Sequence, residues 1–296
     1  MVYLIDASVY VFRAWYSMPP ELRDGDGNPT QALYGFARFL AELIERRRPR
    51  YLAVAFDESH GNGHRYRIFP AYKANREATP PELKRQFALC RQFCRYLGVA
   101  EYASVDYEAD DLIGTLAHSV RASGLRVTVV SRDKDLAQLI GPGDVYWDYS
   151  EAMEYRYEDI PERFGVRPER FADYLALRGD SVDNIPGVPG VGPKTAAALL
   201  ACFESLEALY ADLSAVALLP LRGASQLAQR LLLHREAAFL ARSLTRIHCD
   251  APLNAVHRDL HLRQPDLSAL EHFCSQQGFG ALLARQARRI ADIRAS

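Results

Sequence analysis

Three short apolar runs in the first half of the chain each end at an acid or within three residues of one. Val2-Tyr3-Leu4-Ile5 ends in Asp6, and Tyr51-Leu52-Ala53-Val54-Ala55-Phe56 ends in Asp57. Val127-Thr128-Val129-Val130 leads into Ser131-Arg132-Asp133-Lys134-Asp135. Runs this short, rich in β-branched and aromatic residues and bounded by polar ones, predict buried strands. Between them, residues 33–44, 81–97 and 108–122 carry apolar side chains at helical spacing. That alternation argues for an α/β fold: a mostly parallel central sheet with helices on both faces. A weaker strand pair is expected at 144–149 and 153–157. Beyond about residue 160 the strand signal stops, and 170–177, 194–203, 206–213 and a long stretch at 226–246 read as helices. The spacing therefore divides the chain into an α/β half, 1–160, and an all-helical half, 161–296. Two stretches read as irregular: a hinge-like loop at Ser59-His60-Gly61-Asn62-Gly63-His64, and a Gly/Pro hairpin at 185–193.

In parallel α/β sheets, ligands bind beyond the carboxyl ends of the strands. Asp6, Asp57, Asp133 and Asp135 all follow such ends. The stretch Val105-Asp106-Tyr107-Glu108-Ala109-Asp110-Asp111-Leu112-Ile113-Gly114 adds acids at the start of a helix. The helix dipole stabilises an acid in a first turn by only about 0.3–1 kcal/mol, and neighbouring like charges oppose one another. The dipole therefore accounts for one or two acids, not for this set. Carboxylates without His or Cys among them select hard cations such as Mg²⁺, Mn²⁺ or Ca²⁺. Two such ions held side by side are a recurrent solution to phosphodiester hydrolysis.

Net charge is −1 and pI about 6.7, so bulk charge does not mark a nucleic-acid binder. Basic residues do cluster, at Arg46-Arg47-Arg48 with Arg50 and again at Arg65, Arg67, Lys73 and Arg76. The five cysteines show no repeated CxxC spacing and read as reduced thiols. The first apolar run is broken by Asp6 and Arg13, which excludes a secretory signal, and no run reaches the ~20 apolar residues of a membrane span. A cytoplasmic protein without membrane contact is the expectation.

The helical half supplies a hint about substrate. Gly179-Asp180-Ser181-Val182-Asp183-Asn184-Ile185-Pro186-Gly187-Val188-Pro189-Gly190-Val191-Gly192-Pro193-Lys194-Thr195 is a hairpin that feeds a helix. Glycines let backbone N–H groups approach a phosphate, and a helix N-terminus favours an anion. Pro193 separates Gly192 from Lys194, which breaks the Gly-Lys adjacency that a mononucleotide P-loop requires. Asp180 and Asp183 precede the hairpin and extend the carboxylate set.

Four segments taken together, GDSVDNIPGVPGVGPKTA, VDYEADDLI, SRDKDLAQL and YKANR, resemble the 5′→3′ exonuclease domain of bacterial DNA polymerase I. That domain is part of the wider flap endonuclease family, which includes stand-alone enzymes. The likeness runs from LIDAS to about Ile247. It implies a PIN-like or resolvase-like sheet, a helical arch at about 61–80, and a helix–three-turn–helix at about 172–203. It further implies one metal cluster at Asp57, Glu108, Asp110 and Asp111 with Asp6 adjacent, and a second at Asp133, Asp135, Asp180 and Asp183. Arg65, Lys73 and Arg76 would be the arch cations, with Lys73 and Arg76 reaching the scissile phosphate. Gly187, Gly190, Gly192, Lys194 and Thr195 would grip duplex phosphates. Two Mg²⁺ ions, with Mn²⁺ as substitute, and K⁺ at the hairpin are the cofactors it implies. Asp106 matches no ligand position. Ala7 stands where the family often has Gly, and Tyr16 where polymerase I relatives tend to have His.

Tyr66, Phe69 and Tyr72 either stack on unpaired bases or pack the arch helix. The expected protein is thus a metal-dependent 5′-nuclease on flapped or 5′-ended DNA, leaving 5′-phosphate and 3′-hydroxyl. It is expected as a nucleoid-associated monomer of the bacterial cytoplasm, working with a separate polymerase, since no polymerase domain follows residue 296. A PIN-like ribonuclease would lack the arch and hairpin. A non-catalytic junction binder would lack the acids.

Overall fold

In the computed structural model, which describes residues 1–58, 61, 63–253 and 257–295, the sheet has six strands in the order β3-β2-β1-β4-β5-β6. They are β1 (Val2–Asp6), β2 (Tyr51–Asp57), β3 (Ala100–Ser104), β4 (Val127–Val130), β5 (Val145–Asp148) and β6 (Met153–Arg156). All neighbours pair in parallel except β5 with β6. The three acid-terminated strands lie side by side at the centre. Val2 pairs with both Tyr51 and Val127, so Asp6, Asp57 and Asp133 emerge at one edge.

Side chains alternate between two cores, as strand geometry requires. Val2, Leu4, Ala53, Ala55, Val127 and Val129 face one core. Ile5, Leu52, Val54, Phe56 and Val130 face the other. The second core is closed by α1 (Ala7–Ser17), α2 (Gln31–Arg47) and α4 (Pro81–Tyr96). The first is closed by α5 (Ala109–Ala122) and by the helical half. Between α2 and α4 lies a one-turn helix, α3 (His64–Ile68).

The helical half runs through α6 (Ile160–Phe164), α7 (Phe171–Arg178), α8 (Pro193–Cys202), α9 (Leu206–Ala211), α10 (Leu213–Ala217), α11 (Ala224–Leu233) and α12 (Arg235–Thr245). It ends in α13 (Leu267–Gln276) and α14 (Ala281–Ala295), which turn back to the α/β half and pack on α4 and α2. No helix among the described residues is long and apolar enough to cross a membrane.

Several expectations meet differences here. The stretch 226–246 is two helices parted at His234, because α11 packs on α10 whereas α12 packs on α7. The stretch 206–213 breaks where the Asp212 carboxylate accepts from the Ala215 N–H at 3.0 Å and so caps a new helix. Among its described residues the arch segment is helical only over α3; residues 70–76 form turns, with Lys73 in the left-handed region at φ 52°. Asn75 Nδ2 donates to the Ser181 carbonyl, and Lys73 N to the Asp183 carbonyl, so these turns are fastened to the hairpin instead of to a longer helix. The hinge-like loop at 59–64 falls partly outside the described residues, since 59, 60 and 62 are not among them.

Candidate metal centre and nucleic-acid interface

Asp6 ends β1 and caps α1, accepting the Ser8 N–H at 3.1 Å. Ser8 Oγ then donates to Asp57 Oδ2 at 2.9 Å, joining the ends of β1 and β2. Ser131 Oγ donates to Asp6 Oδ2 at 2.8 Å and accepts from the Asp133 N–H at 2.9 Å, which joins β1 to the turn after β4. Asp57 Oδ1 accepts from the Ala109 N–H at 2.7 Å, so the end of β2 is bound to the first turn of α5. Two serines and one helix terminus thus stitch acids from four segments into a single rim.

The electrostatics show how tightly they crowd. Burial, then Asp57 and Asp133, push Asp6 up to about 7. Burial, then Asp133, Asp6, Asp57 and Glu108, hold Asp110 well above the usual carboxylate range. Burial and Asp133 push Asp135 up to about 7, with Asp180 adding to the effect, and burial raises Asp133. Eight of the nine expected ligands are bound into this mutual repulsion; Asp111 is the ninth. An all-oxygen set short of positive charge suits a hard divalent ion.

Two ammonium groups lie among the acids. Lys73 Nζ pairs with Glu108 and stands 3.8 Å from Asp183 Oδ2. Lys134 Nζ lies 2.7 Å from Asp180 Oδ2 and 3.2 Å from Asp135 Oδ1. Burial alone would raise Glu108, but Lys73 and then Arg65 outweigh it and hold the carboxyl at about 2. Among the described residues no three Asp, Glu, His or Cys side chains stand in a ready-made metal grouping. Lysine-bridged acids of this kind must exchange an ammonium partner for an incoming cation. Arg76 pairs with Asp183 while its side chain stays about half exposed, at 47%.

Arg65 is not at this rim. It is 3% exposed, and its guanidinium faces the Leu244 and Arg246 carbonyls as well as Asp111 and Glu108. Tyr72 is 2% exposed, with its hydroxyl donating to Glu108 Oε2 at 3.0 Å and its ring edge-on to Tyr66. It is therefore core, not a free stacking platform. Asp106 pairs with Arg67 on the surface, away from the acids, as expected of a bystander.

The hairpin links α7 to α8. Asp180 and Ile185 exchange backbone hydrogen bonds at 2.9 and 2.8 Å, and the Val188 N–H returns to the Leu177 carbonyl at 2.8 Å. A Cβ on Gly187 would sit 2.3 Å from the Gly179 nitrogen, so this glycine exists for backbone contact within the hairpin. Gly190 needs its φ of +77°, and a Cβ there would meet the Arg230 guanidinium carbon at 3.1 Å. Around Gly192 the space is open, and Lys194 is exposed in the first turn of α8. Thr195 is half-buried. Gly187→Ala should therefore cost about 1–3 kcal/mol by overpacking. Gly192→Ala should stay within about 0.5 kcal/mol. Urea unfolding of the two variants checks the contrast, and equal losses would refute it.

Sequence reading missed Arg230, which reaches the hairpin from α11, and missed Lys134. Arg230 carried no signal, being one arginine among many. Lys134 did carry one. Only four of the 36 basic residues are lysine, and three of them, Lys73, Lys134 and Lys194, fall on the acid rim or the hairpin.

Comparison with known proteins agrees with this layout. Residues 1–165 match the family model for the 5′-3′ exonuclease N-terminal resolvase-like domain, and 166–268 match that for the 5′-3′ exonuclease C-terminal SAM fold. A 5′-3′ exonuclease from Aquifex aeolicus is 33% identical over 282 residues, covering 95% of this chain and 93% of the relative. DNA polymerase I of Pseudomonas aeruginosa is 40% identical over 268 residues, covering 90% of this chain and 29% of that protein. The chain thus spans about a quarter to a third of the DNA polymerase I relatives, 25% of the Rhizobium leguminosarum one. Among solved structures, T5 5′-exonuclease with bound divalent metal ions (zinc) superposes with a TM-score of 0.66 at 21% identity, covering 99% of this chain and 98% of that one. The T5 D15 flap endonuclease complex with DNA and metal ions gives 0.63 at 20% identity, covering 100% and 99%. At such identities the superpositions speak for the fold.

Proposed function

The chain belongs to the 5′-3′ exonuclease family, and on that premise we propose that it is a metal-dependent, structure-specific 5′-nuclease. It hydrolyses DNA phosphodiesters close to single-strand/duplex junctions, as a 5′→3′ exonuclease and flap endonuclease. The observation that carries this reading is the acid rim, where serine bridges join Asp6, Asp57 and Asp133 and where Asp6, Asp110, Asp133 and Asp135 are each raised by burial and by neighbouring carboxylates.

Asp57, Glu108 and Asp110, with Asp6 beside them, would hold one ion; Asp133, Asp135, Asp180 and Asp183 would hold the other. Mg²⁺ is the ion we assign, with Mn²⁺ substituting. Divalent ions there supply Lewis acidity, activating water and neutralising charge on the phosphodiester. The chain's own residues do the rest. The serine bridges fix the acids in advance, so little reorganisation remains when substrate arrives. Arg76, half exposed, can trade Asp183 for a phosphate oxygen, and Lys73 adds a compact charge beside it.

Recognition falls to the hairpin. Gly190, Gly192, Lys194 and Thr195 present backbone N–H groups and an ammonium at the start of α8, suited to a duplex phosphate, and backbone oxygens suited to K⁺. Such contacts read shape and backbone, not base sequence. The protein acts as a monomer in the bacterial cytoplasm, on the nucleoid.

Cleavage of 5′-flap DNA, gapped duplex and a matched RNA flap, with Mg²⁺ and with EDTA, tests the assignment. Mg²⁺-dependent release from the DNA flap is expected. Selective cutting of RNA would favour a PIN-like ribonuclease, and tight binding without cutting would favour a junction binder.

A further inference from the structure

Arg65 and Asp111 satisfy one another completely. The guanidinium uses all five of its N–H donors: Nε to the Leu244 carbonyl at 2.8 Å, Nη1 to Asp111 Oδ2 at 2.7 Å and Glu108 Oε2 at 3.1 Å, Nη2 to Asp111 Oδ1 at 2.8 Å and the Arg246 carbonyl at 3.0 Å. Asp111 in turn accepts on both oxygens twice. Oδ1 takes Arg65 Nη2 and the His248 N–H at 2.9 Å; Oδ2 takes Arg65 Nη1 and the Glu108 N–H at 3.2 Å. The Asp111 side chain has no exposed surface, and that of Arg65 has 4%.

A carboxylate offers about four lone-pair sites, and here all are taken. Ligating a metal through Asp111 would first require dismantling a buried, bidentate ion pair. Arg65 likewise has no donor left for a phosphate. Nor is Asp111 among the leading neighbours whose charge raises Asp6, Asp110, Asp133 or Asp135.

We propose that Arg65 and Asp111 are a positioning pair, not a phosphate contact and a metal ligand. Resting on the nuclease reading, it assigns them one role: a latch that joins α3, the first turn of α5 and the strap leading out of α12. Three separate segments meet at one guanidinium, and its fork is the side chain able to bond all of them at once. Through Nη1 the latch also fixes Glu108, whose other oxygen holds Lys73. Loosening it would move a metal-side carboxylate and the base of the 61–80 segment together.

Removing one partner leaves an uncompensated buried charge, so single substitutions risk unfolding. The double variant Arg65→Gln with Asp111→Asn removes both charges, keeps hydrogen-bonding capacity and supplies the test. Wild type and double variant are compared by Mn²⁺ titration, by the salt dependence of duplex binding, by limited proteolysis across residues 61–80, and by kcat and KM on flap DNA. The latch predicts the same number of bound Mn²⁺ ions, an unchanged salt slope, faster proteolysis, and a fall in kcat at little-changed KM. Loss of one bound ion would make Asp111 a ligand. A slope smaller by about one would make Arg65 a phosphate contact. Either result overturns the proposal, as does unchanged proteolysis. If the wild type itself neither binds Mn²⁺ nor cuts DNA, the nuclease reading has failed, while the proteolysis comparison still decides the latch.

Discussion

Asp110→Asn is expected to abolish cleavage while making the metal-free protein more stable. The carboxyl sits half-buried among Asp133, Asp6, Asp57 and Glu108, all of which oppose its charge. Neutralising it relieves that repulsion, so the thermal midpoint in EDTA should rise. The same charge is what a divalent ion would need, so Mg²⁺-dependent flap cleavage should fall by at least about 10²–10³-fold, the range seen when a preorganised electrostatic group is removed. Stability and activity thus move in opposite directions, as at sites strained for function. A purely structural acid behaves otherwise: its loss would lower the midpoint and leave cutting intact. Melting in EDTA and single-turnover cleavage of one preparation give both signs.

The second large effect concerns pH. Asp6 and Asp135 stand near 7 in the folded chain, against 3.8 for the unconstrained carboxyl. Between those values the folded state binds protons that the unfolded state has released. The stability linked to them is therefore complete below about pH 4 and is lost as pH climbs through about 7. Glu108, held at about 2, works in the opposite sense, but only below its ordinary range near 4.5. From pH 5 to 8 the melting temperature in EDTA should consequently fall. Added Mg²⁺ or Mn²⁺ should restore it more at pH 8 than at pH 5. A midpoint that rises with pH over this interval would mean the acids are not crowded.

How far the sequence carried differs from residue to residue. Asp6, Asp57 and Asp133 were legible because a parallel sheet sends the ends of adjacent strands to one edge, whatever the detail around them. The hairpin was legible because Gly and Pro constrain the backbone directly. The strand β3 was missed: Ala100-Glu101-Tyr102-Ala103-Ser104 lacks β-branched residues and sits half-exposed at the sheet edge. The helix α1 was hidden by Val9 and Val11, whose helix propensity is low, yet Asp6 caps it directly. Tyr72 shows the limit for aromatics, since spacing alone does not separate a ring that stacks on bases from one that is core. Arg65 shows the limit for charge. Two of its partners are backbone carbonyls some 180 residues away, at Leu244 and Arg246, and a carbonyl leaves no mark in a sequence.

The central claim is that the acid rim is a divalent-cation site, and calorimetric titration of Mn²⁺ into the metal-free protein at pH 7 tests it most directly. Asp6 and Asp135, near 7, are partly protonated at that pH, so binding must expel protons and the apparent enthalpy must vary with the ionisation heat of the buffer. Saturable binding with net proton release, abolished or much weakened in Asp110→Asn, is the predicted result. No saturable heat in the wild type, or binding without proton release that survives in Asp110→Asn, would contradict the account.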